Sequence, residues 1–346
     1  MAYTTINKSG DYFNTKLYTG NGSTNAITGV GFQPDWTWIK NRSTSDSHSL
    51  YDAVRGTTKR LKSDSTSAET TQSNGVTAFG TDGFTVGDHG GVNGSGNNVV
   101  SWNWKANGAG SANTDGSINT TVSANTTAGF SIVKFTGNGS TSATMGHGLG
   151  AIPKIIFQKR LDSSSAGDWQ VSFKDVGRGY LNWDNALQLN NSSSGNISYD
   201  ANTTAYYKYG TTSDVSAVNV NGASYIAYCF ADVTGYSKFG SYVGNGNADG
   251  TFIYTGFKPA FVMVKNSSAG STDWTLCDSK RDGFNDNNHR LFPNLSDAES
   301  ASSPFQMYSN GFKMTTTGSY VNSSGDNFIY MAFAEAPLVG SNGVTA

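Results

Sequence analysis

Short apolar runs, broken by glycine and asparagine about every ten residues, follow one another along the whole chain. "WTWIK" at 36–40, "KIIFQK" at 154–159 and "AFVMVK" at 260–265 each lie just after a proline (Pro34, Pro153, Pro259) and are rich in β-branched and aromatic residues. That combination predicts strands entered from a turn. In "SYIAYCFA" at 224–231, strict alternation puts Tyr225, Ala227, Cys229 and Ala231 on one face and Ile226, Tyr228 and Phe230 on the other. Both faces are apolar, which predicts a central strand covered on each side. No stretch of a dozen residues carries a helical apolar stripe; "SDSTSAETTQ" at 63–72 predicts at most a turn or two of helix. The pattern predicts an all-β protein with the turn cadence of a β-sandwich.

The runs recur in register. Gly20-Asn21-Gly22 matches Gly137-Asn138-Gly139 and Gly244-Asn245-Gly246, and Lys40 matches Lys159 and Lys265. A second block follows in each copy: "LYDAVRG" at 50–56, "SFKDVGRG" at 172–179 and "LCDSKRDG" at 276–283. Each copy closes on an aromatic run, "VVSWNWKA" at 99–106, "SYIAYCFA" at 224–231 and "NFIYMAFA" at 327–334. A period of roughly 105–120 residues exceeds that of solenoids and fits whole domains. The expected organisation is a polar arm at 1–12, three jelly-roll-like β-sandwich repeats at 13–106, 130–232 and 236–336, and a tail at 337–346. "NGAGSANTDGSINTTVSANTTAG" at 107–129 reads as a flexible or extended linker, leaving the first repeat free to swing, whereas "DVTGYS" at 232–237 implies close packing of the other two.

Composition narrows the function. Charged residues are only 14% of the chain, glycines number 42 and the formal net charge is −2. No basic field for nucleic acid or an anionic membrane is visible, and the "KRLK" run at 59–62 reads as a solvated face. No run approaches the length of a membrane span, and "MAYTTINKSGDYF" does not have the form of a secretory leader, so synthesis in the cytoplasm is expected. Cys229 and Cys277 fall at unmatched places in the repeats and read as buried thiols.

Candidate chemistry is sparse. Asn-Gly between strand-like runs is a strong hairpin signal, so the three Gly-Asn-Gly phrases are expected to be hairpin turns; the rival reading, a backbone-amide loop for phosphate or sugar, lacks the strand-to-helix context it needs. "NGNADG" at 245–250 imitates the start of a calcium loop, but the closing acidic position is Gly256. Asp52 and Arg55, Asp175 and Arg178, and Asp278 and Arg281 repeat at a spacing of three and read as structural turn clamps, with a carbohydrate grip as the rival. His48, His89, His147 and His289 have no metal-ligand spacing, no nucleophile elbow follows a strand, and no pair of carboxylates stands out, so neither a cofactor, a metal nor an enzymatic activity is expected. Trp36, Trp38, Trp102, Trp104 and Trp183 either stack on sugars or fill cores.

The phrases "MAYTTINKSGDYFNTKLYTGNGS", "GFQPDWTWIKNRS", "LYDAVRGTTK", "DGFTVG", "HGLGAIPKIIFQK" and "GYSKFGSYVGNGNADGTFIYTGFKPAFVMVK" resemble a family of tandem-repeat proteins of marine tailed bacteriophages. The resemblance implies a structural, fibre-like protein and brings no catalytic residues. The expectation is a virion structural protein displayed on the particle surface, as a head or tail fibre or a capsid decoration protein that aids host adsorption or particle stability. Its arm would dock on the particle. Expected partners are other virion proteins, further copies of the chain as a homo-oligomer (a trimer favoured) and host surface glycans, without nucleic acid or membrane insertion. The alternative is a lectin-like carbohydrate-binding adhesion module.

Overall fold

In the computed structural model, which describes residues 4–164, 168–174, 178–181, 198–209, 218–269, 272–282 and 289–338, the chain is all-β and its paired strands are antiparallel. Each repeat contributes one larger sheet and one of three strands. In the first, β1 (Phe13–Thr19), β2 (Asn25–Thr28), β3 (Trp36–Asn41), β4 (Ser49–Asp52), β5 (Gly56–Leu61), β6 (Thr70–Thr71), β7 (Val76–Gly80), β8 (Gly83–Val86) and β9 (Asn98–Trp104) form sheets ordered β1-β9-β3-β4-β5-β6 and β2-β8-β7.

The second repeat begins with β10 (Ser111–Asn113) and β11 (Thr120–Asn125), followed by β12 (Phe130–Thr136), β13 (Thr144–Gly146), β14 (Ile155–Arg160), β15 (Trp169–Phe173), β16 (Arg178–Leu181), β17 (Ser198–Ala201), β18 (Ala205–Tyr209) and β19 (Ser224–Phe230). Its sheets run β10-β11-β12-β19-β14-β15-β16 and β13-β18-β17. The third has β20 (Ser237–Val243), β21 (Phe252–Tyr254), β22 (Phe257–Asn266), β23 (Thr275–Asp278), β24 (Phe305–Tyr308), β25 (Gly311–Met314) and β26 (Asn327–Pro337), ordered β20-β26-β22-β23 and β21-β25-β24. Counting the second repeat from β12, which follows the added strands β10 and β11, in every copy the first strand pairs with the last and the last with the third, while the second joins the small sheet.

The alternation in 224–231 explains how the sheets stack. Tyr225, Ala227, Cys229 and Ala231 enter the core between the two sheets of the second repeat. Ile226, Tyr228 and Phe230 point the other way, into a core shared with the first and third repeats. At the centre of that core stand Trp104, Phe230 and Phe333, each the seventh residue of its repeat's last strand. Their ring centroids are 6.4, 5.6 and 5.8 Å apart and all three pairs meet edge to face. Three equivalent side chains meeting at near-equal distances and angles mark a local pseudo-threefold relation among the repeats. The edge-to-face contacts add to the burial of large rings, because the electropositive edge of one lies on the face of the next.

This shared core corrects three expectations. The first repeat is not free to swing, since Trp36 stacks on Tyr228 at 4.4 Å and Phe13 on Phe333 at 5.0 Å. Residues 107–129 are no open linker: β11 pairs with β12 along its whole length and widens the second repeat's larger sheet. Nor do residues 4–12 form a free arm. Ile6 is buried in the shared core, and the 3-10 turn Ser9–Asp11 packs against β1 and β26. "SDSTSAETTQ" is also not helical; it runs irregularly into β6, because three serines and three threonines among its residues compete for backbone bonds. The two short helices among the described residues are α1 (Gly90–Asn93) and α2 (Ser279–Asp282).

Candidate functional site

The repeated Asp–Arg pairs lie on the seams between repeats. Asp52 Oδ1 accepts the amides of Val54 and Arg55, closing the turn after β4, and Asp52 Oδ2 accepts Arg55 Nε at 2.5 Å. The Tyr228 hydroxyl of the second repeat donates to the same oxygen at 2.7 Å. Arg55 also donates to Glu69 at 3.1 Å, and the Glu69 amide bonds Leu161 O of the second repeat. The third repeat reproduces the set: Arg281 Nε donates to Asp278 Oδ2 at 2.6 Å and Arg281 Nη1 to Glu299 at 3.0 Å, while Trp102 Nε1 of the first repeat donates to Asp278 Oδ2 at 3.0 Å. The Glu299 amide bonds Arg42 O, and its carboxylate takes both Arg42 Nε and Nη2 at 2.7 Å. Burial pushes the Glu299 carboxyl up, but the two guanidiniums outweigh it and leave it below the ordinary range. Asp175 and the Arg178 side chain lie outside the described residues.

The Gly-Asn-Gly phrases are not hairpin turns between paired strands. In each copy the phrase carries the chain from the larger sheet to the smaller: β1 pairs with β9, whereas β2 pairs with β8. It is clasped by an asparagine five residues before the last strand. Asn21 N donates to Asn93 Oδ1 at 3.0 Å, and Asn93 Nδ2 donates back to Asn21 Oδ1 at 3.0 Å. Asn138 with Asn219 and Asn245 with Asn322 do the same, with the amide bond again 3.0 Å. A Cβ at Gly20, Gly137 or Gly244 would come within 2.2 Å of a carbonyl oxygen of the clasping loop, and Gly22, Gly139 and Gly246 have φ of +68°, +74° and +65°. Glycine is needed at both places for these reasons. The clasping asparagines escaped the sequence reading although "VN" recurs at 92–93, 218–219 and 321–322.

Of the tryptophans considered as sugar platforms, Trp36, Trp38, Trp102 and Trp104 are all buried and offer none, and Trp183 lies outside the described residues. His48 sits on a seam, accepting Trp38 Nε1 on Nδ1 and therefore donating from Nε2 to Phe292 O of the third repeat at 3.0 Å. His89 caps α1, and His147 braces a turn through Leu149 N. Among the described residues, no cluster of three or more His, Cys, Asp or Glu could hold a metal ion, and no helix is long and apolar enough to cross a membrane.

Among the described residues, what remains exposed and apolar lies in the third repeat. The large hydrophobic residues open to solvent are Val243, Phe252, Tyr254 and Tyr308. Phe252 and Tyr254 alternate on the outer face of β21, and Tyr308 packs edge to face on Phe252 at 6.0 Å. Beside Tyr254 lies a hollow of about 250 Å³ lined by groups that include Asp232, Ser237, Lys238 and Thr255. Lys238 Nζ donates to Tyr254 O at 2.8 Å and lies 5.4 Å from its ring. At the positions of Phe252 and Tyr254 the first repeat carries Ala26 and Thr28, and the second Thr144 and Gly146. Because the repeats share one fold, the aromatic residues are not demanded by it. The alternation in "TFIYTGF" at 251–257 carried this signal in the sequence.

The chain belongs to the family described as Domain of unknown function (DUF7483), whose model matches residues 8–337. No curated protein and no solved structure matches it.

Proposed function

With that family as the starting point, we propose that the protein is a structural component of a tailed-bacteriophage virion, displayed on the particle surface as a head or tail fibre or a capsid decoration protein. The observation that carries the reading is the burial of the repeated polar features. The described Asp–Arg pairs and the buried Trp36, Trp38, Trp102 and Trp104 are spent on joining three repeats around one core, and the Asn clasps on fixing the corner of each repeat, rather than on lining a cleft. Such a build suits a protein selected for durability and display. The resemblance to tandem-repeat proteins of marine phages supports the same placement.

Within this reading each repeat is a copy of one jelly-roll-like sandwich; the common strand order supports that, although the third and fourth strands stay neighbours in one sheet. Other virion proteins are the partners. Copies associate on the particle, and because three repeats already meet about a local axis, one chain supplies the contacts that a trimer of single-repeat subunits would. The lectin-like alternative draws on the exposed Phe252, Tyr254 and Tyr308 beside a polar hollow. The test is gold-labelled antibody on intact virions of a phage encoding the protein. Label on head or tail is the expected result, and unlabelled particles overturn the reading.

A further inference from the structure

The three repeats share a β-fold but end differently at one edge, where the first strand of the larger sheet lies beside the second strand on the small sheet. In the second repeat the chain itself closes that edge. Strand β11 pairs with β12, and the segment before it runs along β13. Ser117 N donates to Thr144 Oγ1 at 2.7 Å, Thr144 N to Ser117 Oγ at 2.9 Å, and Ile118 N to Thr144 O at 3.0 Å. Ile118 bridges Met145 in parallel register, and Ile118 and Val122 are buried in the core between the sheets. Residues 116–125 are thus an added strand that seals the sandwich.

The third repeat has the same edge without the seal. Among the described strands, β20 is an edge strand paired with β26 and β21 an edge strand paired with β25, and besides them only Val233 bridges Ser237 at the start of β20. Met314 N donates to Thr251 O and Thr255 N to Asn310 O, so the odd-numbered residues of this stretch face the sheet interior. By the alternation of an antiparallel ladder, the amide and carbonyl of Phe252, the counterpart of Thr144, face outward. Between the two open strands lies the hollow lined by Ser237, Lys238, Tyr254 and Thr255. Of the exposed apolar residues, Tyr254 lines the hollow, Phe252 lies two residues before it on β21 with Tyr308 against its ring, and Val243 ends β20. The corresponding edge of the first repeat carries Ala26 and Thr28 and offers no such surface. An edge strand with unpaired main-chain groups and apolar side chains invites another strand.

We propose that the open edge of the third repeat binds an extended polypeptide segment of a partner chain, which adds a strand to β21 and closes the sandwich as residues 116–125 close the second repeat. The main chain of the partner bonds Phe252 N–H and C=O, and its alternate apolar side chains pack on Phe252 and Tyr254 or enter the hollow, the division of labour common to strand addition. The second repeat is the precedent for the parallel direction, and its Ile118 for one apolar side chain turned inward. The proposal concerns the isolated chain and does not depend on where the protein sits on a particle.

The test is selection of a displayed library of random twelve-residue peptides on the purified full chain, with hydrogen exchange of the bound complexes. Selected peptides are expected to slow exchange at Phe252 and Tyr254. Phe252→Pro, which removes an outward-facing N–H and the ring while leaving the bonds to β25 in place, should weaken their binding at least about tenfold; Phe252→Trp should retain it. Circular dichroism melts confirm that each variant is folded, and Tyr254→Ser, expected to weaken binding, provides a second reading should Phe252→Pro not fold. Failure to select any binder, protection elsewhere, or binding indifferent to Phe252→Pro and Tyr254→Ser overturns the proposal. So does protection of the same amides by a neutral or acidic oligosaccharide panel and not by peptides. None of these outcomes moves the antibody label on virions.

Discussion

Tyr228, the fifth residue of the second repeat's last strand, donates its hydroxyl hydrogen to Asp52 Oδ2 in the first repeat at 2.7 Å. Trp102, fifth in the last strand of the first repeat, makes the corresponding bond to Asp278 in the third. The equivalent residue of the third repeat is Met331, which has no hydrogen to give. Each bonded carboxylate therefore serves two purposes, closing its own turn and receiving the neighbouring repeat. The energetic weight is large because both partners are fully buried: the Asp52 and Arg55 side chains are 0% and 1% exposed.

Removing one partner of such a pair leaves the other charged and desolvated. Asp52→Ala is expected to cost about 3–5 kcal/mol of unfolding free energy, whereas the double variant Asp52→Leu, Arg55→Met should recover much of it. Tyr228→Phe removes a single bond to a charged acceptor and should cost about 1.5–3 kcal/mol. Urea unfolding of the full chain measures all three; an Asp52→Ala loss below that of Tyr228→Phe would show that the pair is solvated.

The shared core predicts cooperativity. Since Trp104, Phe230 and Phe333 each touch the other two, no repeat can unfold without exposing rings of its neighbours. Scanning calorimetry should record one transition whose calorimetric and van't Hoff enthalpies agree. A fragment of residues 4–106 should lack a cooperative melt, because its Trp36, Trp38, Trp102 and Trp104 would face water. Three resolved transitions would mean that the repeats are independent beads.

The Asn clasps predict a repeated penalty of one size. Asn93 Nδ2 donates to Asn21 Oδ1, Ser23 O and Gly87 O, and Asn322 has an equally full set. Asn93→Ala, Asn219→Ala and Asn322→Ala should each lower stability by about 1–3 kcal/mol through the acceptors and donors left buried. Gly20→Ala should do at least as much, as its methyl carbon would sit 2.2 Å from Gly94 O. Thermal melts of the four variants decide it; unchanged midpoints would make the clasps ornamental.

Much of the architecture was legible because the repeats spell it out. Periodicity gave the strands, and the two-sided alternation of 224–231 placed that strand between two cores. The arrangement of the repeats was hidden. A Gly/Asn/Ser/Thr-rich stretch such as 107–129 reads as a linker by composition, yet here it finds an open sheet edge and pairs with it. The Gly-Asn-Gly phrase mimics a hairpin because both a tight turn and a corner between sheets need positive φ; only the partner of the following strand tells them apart. Asp52 and Arg55 announced a local clamp by their spacing, but Tyr228 arrives from 173 residues beyond Arg55 and no local pattern points to it. At the open edge, Phe252 and Tyr254 were visible as aromatics, but their exposure emerges only against Ala26 and Thr28 in the same fold.

The buried bases set a pH dependence. Lys265 is buried and donates from Nζ to the carbonyl and hydroxyl of Thr272, and burial lowers its pKa to about 6, against a weaker opposing pull from Asp273. Lys40, bonded to Asn41 O, Thr44 O and Ser296 O, is lowered by burial to about 8, and burial also holds the His48 imidazole well below its ordinary value. Where the folded pKa is depressed, the unfolded chain binds a proton the folded chain refuses, so stability rises with pH between the folded and unfolded values. For Lys265 that window opens at about 6 and for Lys40 at about 8, each closing near the ordinary lysine value of about 10.4. For His48 the loss comes as pH falls below about 6.5. At the alkaline end the sign reverses, because burial raises Tyr18, Tyr228, Tyr236 and Tyr242, so that the unfolded chain sheds protons the folded chain keeps. Urea midpoints should therefore climb from about pH 6 to about pH 9 and fall beyond about pH 10. In Lys265→Met the Thr272 oxygens lose their donor at every pH, but the charge that must be stripped at low pH is gone. The variant should be clearly weaker than the parent at about pH 9 and approach or overtake it at about pH 6. A gap that stays constant across that range would mean that Lys265 keeps its charge in the folded protein.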